Sequence, residues 1–98
     1  MNLEKDQGIL DLLTKLDLSE RGWTIADHWE ADLCAVGIAL AEDPWRLVYI
    51  STYDMEPGRY NYQCETSDES IPDDYTTTET GENVDFDTLL AVMQRHLR

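Results

Sequence analysis

The stretch that decides the fold is "RLVYISTYDMEPGRYNYQCET", residues 46–66. Its first part, Arg46 to Tyr53, carries β-branched and aromatic residues on both faces of an extended chain. That is the pattern of a central strand, apolar on both sides. Its last part alternates, with Tyr60, Tyr62 and Cys64 on one face and Arg59, Asn61, Gln63 and Glu65 on the other. Period two with one polar face predicts a half-exposed strand. Between them, Pro57-Gly58 fits the two central positions of a type II turn, because Pro presets a negative φ and Gly accepts a positive one. Two strands joined by so short a connection run antiparallel.

The pattern extends in both directions. Upstream, Val36, Ile38 and Leu40 alternate with Gly37 and Ala39. Branched residues on one face and small ones on the other suit a strand with something packed close over the small face. A helix across Ala31 to Ala41 competes, since Ala and Leu favour helix. "EDPW" (42–45) reads as a turn, and Trp23 and Ile25 begin a period-two pattern. Three consecutive strands with short turns make a meander. Downstream, Tyr75 to Thr80 reads as a further strand that "TGEN" (80–83) ends.

Both flanks are helical. Ile9, Leu12, Leu13 and Leu16 form one stripe of a helix from Asp6 to Leu18, with Asp6 as N-cap and Gly22 as the stop. The closing segment "VDFDTLLAVMQRHLR" (84–98) places Phe86, Leu89, Leu90, Met93 and Leu97 on one face. Asp85 caps it and Val84 staples onto Leu89. Asp87 at its start and Arg95, His96 and Arg98 at its end suit the helix dipole. The expectation is a single α+β domain over residues 1–98. An antiparallel meander sheet of three to four strands packs with an N-terminal and a C-terminal helix.

Charge bounds the function. The chain has 21 acidic and 7 basic residues, a net charge of −14. Direct nucleic-acid binding needs Lys and Arg to displace counterions, which this chain lacks. An anionic membrane repels it, whereas a basic protein surface attracts it and speeds encounter. The longest apolar run, Ala35 to Ala41, is far short of the roughly 18 residues of a spanning helix. With no secretory signal at the start, the expected compartment is the cytoplasm. Cys34 and Cys64 have no CxxC spacing and read as small buried hydrophobes.

Motifs for chemistry are sparse. "DHWEAD" (27–32) gathers Asp27, His28, Glu30 and Asp32, a set able to face a metal from either a helix or a strand. It has no second His nearby, so the reading as charged surface around Trp29 stands beside it. There is no GxSxG, no GxGxxG and no Walker lysine. The expectation is a non-enzyme without cofactor or metal. The tyrosines read as sheet packing or as a binding platform.

The informative feature is where the acids lie. From Tyr60 to Gln94 there is no Lys or Arg, and the span holds nine acids. Six fall within "ETSDESIPDDYTTTE" (65–79). Pro72 and the Ser/Asp content there read as a loop. One-signed charge at this density destabilises the free fold and is compensated by a basic partner. The candidate contact set is Glu65, Asp68, Glu69, Asp73, Asp74, Tyr75 and Glu79.

With its "WEADLCAVGIAL" and "RLVYIST" strands and closing "VDFDTLLAVMQRHL" helix, the chain resembles bacterial polymorphic-toxin immunity proteins. The resemblance spans about residues 23 to 97. It implies no enzymatic activity and a one-to-one complex of a monomer with a cognate toxin domain, and it assigns no functional residue. The alternatives are an acidic DNA-mimic or adaptor that binds a nucleic-acid enzyme, and a small metal-dependent enzyme built on Asp27, His28, Glu30 and Asp32.

Overall fold

The N-terminal helix begins where Asp6, in extended backbone, accepts the Ile9 amide on its carboxylate at 2.9 Å. The computed structural model describes residues 5–27, 33–43, 45–68 and 71–98. The helix, α1 (Gln7–Leu16), stops earlier than expected because Asp17 takes a left-handed conformation, with φ 48°. Asp is among the few non-glycine residues that tolerate this region. One further turn, α2 (Leu18–Arg21), follows, and Gly22 closes it at φ 73°.

Five strands follow: β1 (Trp23–Asp27), β2 (Ala35–Leu40), β3 (Arg46–Ser51), β4 (Tyr60–Asp68) and β5 (Ile71–Val84). The chain then ends in α3 (Phe86–His96), capped by Asp85, which accepts the Thr88 amide at 2.8 Å. The sheet order is β1-β2-β3-β4-β5, and every pairing is antiparallel. The expected α+β meander is present, but it has five strands rather than three to four. The helix considered for Ala31 to Ala41 is replaced by β2 over its described part. The turn at Glu56–Arg59 is as expected: Arg59 N–H donates to the Glu56 carbonyl at 3.0 Å, and Gly58 sits at φ 81°.

Register builds the core. Val36 pairs with Ile50 and Ile50 with Tyr62; Ile38 pairs with Val48 and Val48 with Cys64. Directly paired residues share a face, so these rows form one apolar surface. Ile9, Leu12 and Leu16 of α1, Leu89, Val92 and Met93 of α3, and Leu97 at its C-cap close over it. Each such side chain contributes roughly 1.5–3 kcal/mol by leaving water. Val84 and Phe86 pack against the same core. The Trp23 indole N–H donates to the Leu97 carbonyl at 3.0 Å, joining the first strand to the last helix. Gly37, Tyr49 and Gln63 lie in a row on the opposite face.

Candidate functional site

The acidic stretch forms a hairpin, not a loop. Pairing of β3 with β4 runs to Arg46–Thr66, while β4 and β5 continue through Ser67–Tyr75 to Asp68–Ile71. Ser67 N–H still donates to the Trp45 carbonyl at 2.7 Å, so among the described residues the two-stranded extension of the sheet consists of Asp68 on β4 and the start of β5 from Ile71. Pro72 is compatible because β5 is an edge strand, where a missing N–H need not cost a ladder hydrogen bond. The fourteen residues of β5 face nine of β4, and the excess is absorbed at three irregularities. Bulges of this kind twist an edge and blunt its tendency to pair with other chains.

The expected contact residues divide between the two faces. Glu65 pairs with Thr77 on the face away from the helices and is half-buried. Asp68 ends β4, and Asp73, Asp74 and Tyr75 lie in the distal part of β5, so the backbone brings these four onto adjacent strands. Glu69 lies outside the described residues. Glu79 goes elsewhere: it pairs with Cys64 on the helix-covered face, opposite to Glu65.

There Glu79 is already occupied. It accepts the Tyr62 hydroxyl at 2.7 Å and Arg95 Nη2 at 2.7 and 2.9 Å. The Tyr62 hydrogen bond, opposed by burial and reinforced by Arg95, holds its carboxyl below the usual range. Burial and the Glu79 hydrogen bond push the Tyr62 phenol up to about 12. Burial and the Glu79 charge push the Cys64 thiol up to about 11. The other cation bordering the acidic span, Arg59, also folds back, donating from Nε to Asn83 Oδ1 at 3.0 Å and from Nη2 to the Asn83 carbonyl.

This cluster carries a pH dependence. Tyr62 and Cys64 hold their protons more tightly folded than unfolded. Their contribution is therefore fully present below the ordinary values of 10.0 and 9.0, and is lost as pH rises through about 12 and 11. The urea midpoint should fall progressively over that alkaline window. Tyr62→Phe should lower stability at neutral pH yet flatten the upper part of the fall. An alkaline slope identical in the two proteins would show that the Tyr62 phenol is not held this way.

Sequence reading missed Tyr62 and Arg95 as partners of Glu79. The available signal was Gly81, inside a run of strand formers, where a glycine marks a bulge or a close approach. The strand does not end at Gly81. The Tyr62 ring lies over it, so close that a Cβ there would stand 2.2 Å from Cε1.

For "DHWEAD", Asp27 ends β1, and His28, Glu30 and Asp32 lie outside the described residues. His96 is half-buried at the end of α3, with Nε2 3.0 Å from the Glu65 carbonyl. Among the described residues no three His, Cys, Asp or Glu side chains converge as metal ligands, and no helix is long and apolar enough to cross a membrane. The chain matches no protein-family model, no curated protein and no solved structure.

Proposed function

We propose that this protein is an immunity-type inhibitor that binds a basic toxin domain and occludes its active-site cleft. The observation that carries the reading is the hairpin beyond Ser67, an extension of the sheet within a span that has no Lys or Arg from Tyr60 to Gln94. Toxins that act on nucleic acids or nucleotides need cationic clefts to hold phosphate. Carboxylates on a narrow two-stranded arm can enter such a cleft and take the place of phosphate oxygens, pairing bidentately with arginine. Glu65, Asp68, Glu69, Asp73 and Asp74 are the landing set, and Tyr75 is the aromatic anchor. Glu79 contributes little, since Arg95 already matches its charge.

The test is co-expression with the variable C-terminal domain of a secreted protein encoded beside this chain. A 1:1 complex and restored growth are expected. Growth arrest despite abundant chain, with no complex on a sizing column, would refute the reading. Capture of a host nucleic-acid enzyme instead would assign the same acids to a DNA-mimic.

A further inference from the structure

At the other end of β4 lies a second feature. The connection from Thr52 to Arg59 is two turns in series, with Met55 N–H donating to the Thr52 carbonyl and Arg59 N–H to that of Glu56, both at 3.0 Å. Thr52 ties it down: its N–H donates to the Cys34 carbonyl at 2.8 Å and its hydroxyl to the Asp6 carboxylate at 3.0 Å. The loop so held runs beside the first turns of α1 and bounds a groove of about 480 Å³.

The groove has unmatched acceptors. Lys15 and Arg59 line it but are engaged elsewhere: Lys15 Nζ is 5.4 Å from the Phe86 ring centroid, and Arg59 binds Asn83. Asp6 is spent on the helix cap. Among the described residues the Asp11 carboxylate accepts only from the Gln7 amide, at 2.7 Å, and the exposed Glu56 carboxylate has no polar partner. Tyr60 is 2% exposed, lines the groove, and its hydroxyl has no hydrogen-bond partner among the described residues. Tyr60 and Asp11 line the same groove, and burial, then the Asp11 charge, push the Tyr60 phenol up.

We propose that this groove receives an arginine side chain of the partner protein. The inference rests on the reading of a basic partner and adds a second contact remote from the hairpin. A guanidinium matches the groove. Its planar faces suit Met55 and Pro57, and its N–H edge suits Asp11, Glu56 and the Tyr60 hydroxyl. A second copy of this chain is a poor occupant, because each carries a charge of −14. On the same loop Tyr53, 74% exposed, offers an aromatic contact to the surface around that arginine.

The isotope-labelled chain, titrated by NMR with N-acetylarginine amide, tests this with N-acetylcitrulline amide as the neutral isostere. Saturable shifts at Asp11, Glu56 and Tyr60 are expected, with at least tenfold weaker binding of the citrulline compound. The double substitution Asp11→Asn and Glu56→Gln, at two exposed positions, should weaken the arginine compound at least tenfold while keeping a folded amide spectrum. Equal responses to both compounds, unsaturable shifts, or shifts confined to the hairpin would overturn the proposal. Hairpin substitutions should leave this titration unchanged, so the groove and the hairpin landing site fail separately.

Discussion

Replacing Gly81 by alanine should destabilise the protein by about 2–4 kcal/mol, from overpacking plus the loss of a part-buried hydrogen bond. For a domain of this size that is a fall of roughly 10–25 °C in Tm. The added Cβ would lie 2.2 Å from Tyr62 Cε1 and 2.6 Å from Cζ. Gly81 is not among the residues of positive φ, so the cost is steric and not a matter of backbone freedom. Tyr62 is only 7% exposed and is held by Glu79, so its ring yields only by breaking that bond or leaving the core. Thermal and urea unfolding would measure the loss. Adding Tyr62→Leu to Gly81→Ala should recover part of it, because the smaller side chain frees the space. A Gly81→Ala protein melting within about 3 °C of the parent would mean that the ring is not locked over the strand.

Alanine at Asp68, Glu69, Asp73 and Asp74 together should weaken partner binding by roughly 100-fold at low salt, about 2.7 kcal/mol. Most of the change should lie in the association rate, since removing exposed charges reduces steering. The dependence of affinity on ionic strength should flatten for the same reason. Stability should stay level or rise slightly, because one-signed repulsion on the hairpin is relieved. Glu79→Gln is the internal comparison: it should reduce stability through Tyr62 and Arg95 and leave the salt dependence of binding nearly intact. Unchanged affinity and an unchanged salt slope in the fourfold variant would remove the hairpin from the interface.

Much of the fold was legible from local chemistry. Asp6, Gly22, Pro57-Gly58 and Asp85 act as their residue types dictate, since a cap or turn depends on a few neighbouring atoms. The alternation through Tyr60, Tyr62 and Cys64 named the buried face of β4 correctly. Between the strands expected to end at Thr66 and to begin at Tyr75, residues 67, 68 and 71–74 were misread as loop because Pro, Ser and Asp disfavour strands in isolation. Pairing with β4 and a place at the sheet edge outweigh that preference.

The candidate site was only half legible, and for a physical reason. Charge is additive along a chain, so the sequence alone determined that residues 60–94 are acidic and hold no Lys or Arg. Neutralisation is a matter of distance in space, and only the tertiary structure decided it. Arg95, just outside the acidic span in sequence, folds back and neutralises Glu79, whereas Arg59 is held by the uncharged Asn83. Lys15 turns to Phe86 and leaves Asp11 and Glu56 open beside Tyr60. The pairing register further put Glu65 and Glu79 on opposite faces of one sheet, because each step along a strand reverses the side-chain direction.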